Sequence, residues 1–303
     1  MTAMENIATF KQLKSLSVQL IDGKDQNVTP VQPNLSVFRW REEETFNGVI
    51  YEPVVCIVLA GRKEFFLKEK TVSHQAGDAF VISHNVPLLS GIRDAAPKAP
   101  YLSLVLTLNF EILYSLRDQV FPNLTEDSGA QSLSSGPFDK AWAEPLYRYL
   151  RLAENPLEAE VLGPLILKEV HFKLLMSPIG GMLRNLCLSN SKASQIASVI
   201  AYIKGHFHEP LVMAELAKMA GMSTSMFFYE FKSVTGHSPL QYQKNIRLIK
   251  AQNMLCLGNM KVSSVALEVG YESPSHFSRD YTMRFGVSPK KHIVELRGRA
   301  GLK

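Results

Sequence analysis

Between residues 28 and 110 apolar positions come in short runs or alternate with polar ones: Leu35-Ser-Val-Phe-Arg-Trp, Pro53-Val-Val-Cys-Ile-Val-Leu-Ala, Lys63-Glu-Phe-Phe-Leu, Ala79-Phe-Val-Ile and Tyr101-Leu-Ser-Leu-Val-Leu-Thr-Leu. Gly and Pro turns separate them, which predicts six to eight short strands with no helical period between them, a small β-barrel or double-sheet jelly roll. Ahead of it, residues 6–21 read as one short helix. After it the period changes, with apolar residues three and four apart over 110–116, 138–152 and 157–176, a helical connector. Within the connector, 125–136 is rich in Ser, Gly and acids and reads as an exposed loop. The polar stretch at 189–194 reads as a linker, giving a strand-rich domain at 28–110, a connector at 111–189 and a helical domain at 194–295. The fold class is α+β and multidomain.

Charge sharpens the last boundary. From residue 190 onward there are 15 Lys and Arg against 7 Asp and Glu, whereas the preceding part has 18 against 21. The C-terminal third is basic and the remainder mildly acidic, which points to a polyanionic partner for the former. Apolar runs never reach the length of about 20 residues that a membrane span needs. Three scattered cysteines, Cys56, Cys187 and Cys256, make neither a disulfide framework nor a thiolate metal cluster, and with no secretory signal this leads us to expect a cytoplasmic protein.

The basic region repeats itself. Leu216-Ala-Lys-Met-Ala-Gly-Met-Ser parallels Val265-Ala-Leu-Glu-Val-Gly-Tyr-Glu-Ser, and Phe227, Phe231, Gly236 and Ser238-Pro239 recur as Phe277, Tyr281, Gly286 and Ser288-Pro289. Each unit reads as a helix, a tight turn at Gly221 or Gly270, and a second helix opened by Ser223 or by Ser273-Pro274, with Ser as N-cap and Pro at the first helical position. Ala217 and Ala266 are small enough to let the paired helices cross closely. These units, about 212–234 and 262–285, have helix-turn-helix grammar. Ordinary helical hairpins would explain the apolar spacing but not the accompanying charge.

Together with Phe231-Lys, Thr235-Gly-His-Ser-Pro-Leu-Gln-Tyr, Arg247-Leu-Ile-Lys-Ala-Gln, Ser275-His-Phe-Ser-Arg and Phe285-Gly-Val-Ser-Pro, these marks make residues 194 to 295 resemble the C-terminal domain of the AraC/XylS family of bacterial transcription regulators. The resemblance implies two recognition helices in adjacent major grooves of promoter DNA, held apart by a long helix. With Phe227 and Phe231 turned inward, base-reading falls to Ser225, Phe228 and Tyr229 in the first unit, and to Ser275, His276 and Arg279 in the second. A guanidinium gripping guanine O6 and N7 supplies about 1 to 3 kcal/mol of discrimination. Lys232, Lys244, Arg284, Lys290 and Lys291 are expected at phosphates. The family commonly has Arg where Tyr229 stands and a polar residue at Phe228, so Phe228 either contacts a thymine methyl or packs against a neighbouring helix.

The strand-rich domain resembles the cupin-type N-terminal domain of one branch of that family, through Pro53-Val-Val-Cys-Ile-Val-Leu-Ala-Gly-Arg-Lys, Gly77-Asp-Ala-Phe-Val-Ile-Ser and Pro100-Tyr-Leu-Ser-Leu-Val-Leu-Thr-Leu. That implies an effector-binding or dimerisation role. Arg39, Trp40 and Tyr101 are aromatic and charged enough to line a pocket for an organic anion, but the strand pattern leaves any effector residues unassigned. Cys56, in an apolar strand, reads as inert filler. A metal-dependent cupin enzyme needs a His-x-His pair with further ligands. Before residue 171 the sequence has only His74 and His84, and His206-x-His208 lies in the helical part, where it reads as a solvated turn. The expected protein is therefore a regulator and not an enzyme, without metal or cofactor. Its expected partners are double-stranded promoter DNA, a second copy of itself, a small-molecule effector and, as a candidate, RNA polymerase. The alternative is a constitutive regulator whose barrel is only a dimer scaffold.

Overall fold

The computed structural model describes residues 3–67, 70–120, 127, 130–188, 191–257 and 260–299. The chain forms two compact units. The first comprises Met1–Thr45, Tyr51–His84 and Gly91–Ser194, and the second Phe46–Ile50, Asn85–Ser90 and Gln195–Lys303.

The first unit opens with α1 (Ala3–Leu20), close to the helix expected at 6–21. Strands follow in the chain: β1 (Val28–Gln32), β2 (Leu35–Trp40), β3 (Glu44–Tyr51), β4 (Val54–Ala60), β5 (Arg62–Leu67), β6 (Lys70–Gln75), β7 (Asp78–Ile82), β8 (Val86–Arg93) and β9 (Tyr101–Thr107), of which the middle of β3 and the start of β8 belong to the second unit. Next come α2 (Phe110–Val120), β10 (Leu133–Pro137), α3 (Lys140–Arg151), α4 (Pro156–Met176) and α5 (Gly181–Cys187). The strands make two sheets, ordered β1-β2-β9-β4-β7-β10 and β3-β8-β5-β6, so the expected barrel is realised as a two-sheet jelly roll.

β4 explains why its sequence is a continuous apolar run. It pairs antiparallel with β9 on one side and β7 on the other, and both of its faces are covered. Val55, Ile57 and Leu59 join Trp142, Leu146 and Tyr149 of α3, Val170 and Leu174 of α4 and Leu13 of α1 in one core. Cys56, aligned with Phe80 of β7, belongs to the opposite face, where Phe80 meets Phe65 of β5 edge-on at 5.1 Å. Burial pushes the Cys56 thiol up to about 12, as expected of inert filler. Asp139 caps α3 by accepting from the Ala141 amide, and Asn155 caps α4 from the Glu158 amide with Pro156 at the first turn.

One expectation needs correction here. The stretch 125–136 is not simply a loop. Part of it lies outside the described residues, but Leu133–Pro137 is β10, paired with β7 from Leu133↔Ile82 to Pro137↔Asp78. The Arg39 guanidinium donates to the carbonyls of Ile21 and Lys24. Trp40 stacks on Phe38 at 5.9 Å, and Tyr101 is buried.

The second unit carries α6 (Lys192–Gly205), α7 (Met213–Met219), α8 (Thr224–Thr235), α9 (Pro239–Leu257), α10 (Val262–Glu268), α11 (Pro274–Phe285) and α12 (Pro289–Arg299). Among the described residues no helix is long and apolar enough to cross a membrane.

Candidate nucleic-acid interface

The duplicated pattern folds into two copies of one local structure. In the first, Gly221 adopts φ +63° after α7, and the Met222 amide reaches back to the Ala217 carbonyl at 3.0 Å. In the second, Gly270 adopts φ +86° after α10, and the Tyr271 amide reaches the Ala266 carbonyl at 2.9 Å. Only glycine enters this region without steric cost, which is why each turn carries one. The second helix of each copy is then capped at both ends. Ser223 Oγ accepts from the Met226 amide and Ser273 Oγ from the His276 amide, while Gly236 and Gly286 close α8 and α11 in the left-handed conformation.

Packing decides which faces of α8 and α11 remain outside. Phe227 and Phe231 are wholly buried and meet edge-on, 5.5 Å apart, with Tyr242 of α9 edge-on to Phe231 a further 5.5 Å on. In α11, Phe277 and Tyr281 play the same part at 5.5 Å. Ser225, Tyr229 and Lys232 consequently stand exposed on α8, with Tyr229 74% accessible, and Ser275, His276 and Arg279 stand exposed on α11. Phe228 is 36% exposed, its ring against Phe227 at 5.9 Å. Its outer surface is presented alongside Tyr229. Lys290 and Lys291, at the start of α12, are also exposed.

Two of the cations expected at phosphates are engaged inside this unit. Arg284 is mostly buried, its Nη2 donates to the Pro87 carbonyl at 3.5 Å, and burial draws its guanidinium down to about 10. Lys244 Nζ lies 3.5 Å from the buried carboxylate of Asp280. Charge alone made both look available. A phosphate contact from either requires its present partner to be given up.

The residue whose structural part sequence reasoning missed is Arg247, which entered only as a family mark. From α9 it donates to the carbonyls of Phe207 (2.6 Å), Gly270 (2.8 Å), Glu209 (3.0 Å) and His208 (3.1 Å). Its guanidinium also lies 5.9 Å from the centre of the Tyr271 ring. A planar fork of five N–H donors suits such a set of carbonyls, whereas a lysine point charge does not. Arg247 thereby ties α9 to the second turn and to the segment joining α6 and α7. The signal available in the sequence was an arginine in the middle of a long helix, with no acidic residue three or four positions away.

His206 accepts a similarly local role, with Nδ1 3.0 Å from the Tyr202 carbonyl and its ring stacked on Tyr202 at 4.2 Å. Among the described residues no group of three or more His, Cys, Asp or Glu side chains is placed to hold a metal ion.

Comparison with known proteins matches both parts. The family model described as the AraC-type transcriptional regulator N-terminus matches residues 32–182, and a helix-turn-helix domain model matches 216–293. Between them they cover most of the chain. The regulator CdhR of Pseudomonas aeruginosa is 31% identical over 141 residues, 46% of this chain and 39% of its own length. The MmsAB operon regulatory protein of the same organism is 27% identical over 130 residues, 42% of each chain. The chain thus aligns with less than half the length of these curated relatives. Among solved structures, ToxT of Vibrio cholerae with a bound unsaturated fatty acid has a TM-score of 0.55 at 14% identity, covering 87% of this chain and 95% of ToxT, a likeness of fold.

Proposed function

The chain belongs to the AraC/XylS family of transcription regulators, and from that premise we propose that it binds promoter DNA sequence-specifically in the bacterial cytoplasm, as a regulator and not an enzyme. The observation that carries this reading is the pair of capped helix-turn-helix units whose outward faces on α8 and α11 hold Ser225, Phe228, Tyr229, Ser275, His276 and Arg279. α9 between them has 19 residues, about 28 Å of helix at 1.5 Å per residue, which is comparable with the roughly 34 Å between successive major grooves on one side of a duplex. Residues 194–295 are the DNA-binding domain in this reading. Lys232, Lys290 and Lys291 approach phosphates, and 28–110 with the connector at 111–189 serves effector binding or dimerisation.

Footprinting on the DNA upstream of the chain's own gene, at two salt concentrations and against random competitor, tests the reading. A protected site spanning two major grooves, weakening steeply with salt, supports it. Absence of any selected site from a genome-wide DNA library, with and without cell extract, defeats it. Arg279→Ala is expected to cost about 1 to 3 kcal/mol at one base pair of the site and little elsewhere. Uniform loss over all sequences in a competition assay would remove Arg279 from base reading.

Dimerisation has its own observation. Leu157, Val161 and Leu165 of α4, four residues apart on one helix face, are 73%, 62% and 65% exposed. A stripe of this kind suits the same stripe on a second copy, because a two-fold contact sets like surfaces against each other. Val161→Glu is expected to weaken the dimer at least about 30-fold, or about 2 kcal/mol, by sedimentation. A variant that dimerises like the parent would place the contact elsewhere. This stripe serves a sensor and a scaffold equally, and a ligand-induced thermal shift separates the two.

A further inference from the structure

α11 carries one acidic residue on a surface otherwise suited to DNA. Asp280 is 6% exposed, and its Oδ2 has three neighbours, one from α9, one from α11 and one from the turn before α11. The Tyr271 hydroxyl donates to it at 3.3 Å, Lys244 Nζ of α9 lies at 3.5 Å, and His276 Nε2, one turn earlier on α11, lies at 3.4 Å. Tyr271 is fixed as a donor, since burial and then the Asp280 charge push its phenol up. Lys244, Tyr271, His276 and Asp280 line one shallow groove beside the exposed face of α11. His276 remains 55% and Lys244 34% exposed at the side chain although Nε2 of one and Nζ of the other lie against the carboxylate.

We propose that Asp280 is a specificity-determining positioning residue that keeps the Lys244 ammonium away from the DNA backbone and orients the His276 imidazole on the reading face. This rests on the DNA-binding reading above. A lysine free to reach phosphate strengthens binding to every sequence alike, because each phosphate neutralised adds the same counterion-release term. Holding that ammonium on a buried carboxylate removes a contact that carries no sequence information. Aiming His276 from one side adds a contact that does carry it. The first effect lowers affinity for all sequences alike and so flattens the salt dependence, while the second, through His276, raises the ratio of specific to non-specific affinity.

The test measures binding of the full chain to its selected site and to random duplex across a salt series, for the parent, Asp280→Asn and Lys244→Met. Asp280→Asn is expected to bind random DNA about 3- to 10-fold more tightly at low salt. Its plot of log affinity against log salt should steepen by about 0.9, one added phosphate contact, and its specific-to-random ratio should fall about tenfold. Lys244→Met is expected to leave the slope of the parent unchanged, and the double variant should lose the steepening. A merely structural carboxylate would lower both affinities in proportion with the slope unaltered, which overturns the proposal. So does a slope that flattens by about 0.9 in Lys244→Met, a comparison that stands even if Asp280→Asn fails to fold. A parent that selects no site defeats the DNA-binding reading itself, a different result from either of these.

Discussion

Gly270→Ala is expected to destabilise the second helix-turn-helix unit by about 3 to 4 kcal/mol, whereas Gly221→Ala, at the equivalent turn of the first, should cost about 1 to 2 kcal/mol. Both glycines have positive φ, so each substitution carries the left-handed penalty. Their surroundings differ. A methyl at Gly221 would find only the Gln195 side-chain amide, 3.9 Å away, while a methyl at Gly270 would sit 2.2 Å from the His208 carbonyl oxygen and 2.8 Å from its carbon. That carbonyl cannot easily retreat, because Arg247 holds it at 3.1 Å and holds the Gly270 carbonyl at 2.8 Å with the same guanidinium. Hydrogen exchange read on peptides from α10 and α11 is the suitable measurement, since stability is local and the chain has two units. Amides there should exchange at least about a hundredfold faster in Gly270→Ala, at tenfold per 1.4 kcal/mol. Those of α7 and α8 should change about tenfold in Gly221→Ala. Equal losses at the two turns would mean that the approach to His208 relaxes without cost.

That contrast marks how far the sequence is legible. The duplicated Gly, the Ser caps and the inward aromatics are local requirements of a helix-turn-helix, and local requirements leave residue-type signatures at fixed spacing. Ala266 and Phe277 fall where periodicity places them, and both are fully buried. What the sequence does not show is which distant backbone each residue meets. Nothing in the letter Gly distinguishes position 270, pressed against His208, from position 221. Arg284 and Lys244 read as surface cations because a charge is visible in sequence and the group it engages is not, and Asp280 is unremarkable until its three neighbours converge on it. β10 is the corresponding case among the strands. Leu133-Ser-Ser-Gly-Pro has little intrinsic strand preference, and it is extended because β7 offers it an open edge. The runs of β4 and β9, apolar enough to be buried on both faces, announce themselves.

His84 should make the stability of the first unit depend on pH, by about 3 kcal/mol between pH 6.5 and pH 4. The residue is buried, with Ser83 Oγ 3.0 Å from Nδ1 and Ser132 Oγ 3.1 Å from Nε2. Both ring nitrogens are therefore engaged by neutral hydroxyls. An imidazolium would be placed there without water, and burial draws the folded-state value down to about 4 from the usual 6.5. The sign follows from proton counting. Between those values the unfolded chain binds a proton and the folded chain does not, so acid favours unfolding. The contribution is complete above pH 6.5, falls away as the pH drops towards 4, and changes no further below it. His171, lowered by burial against a bond to the Leu167 carbonyl, and His74, lowered by burial against the charge of Asp78, act in the same direction. Because carboxylates also titrate near pH 4, the informative quantity is a difference between proteins. Denaturation of the parent and of His84→Gln across this range should show the variant losing less stability than the parent, with their gap narrowing by about 3 kcal/mol from neutral pH to pH 4. Parallel pH profiles would mean that His84 takes up its proton in the folded unit as readily as in water.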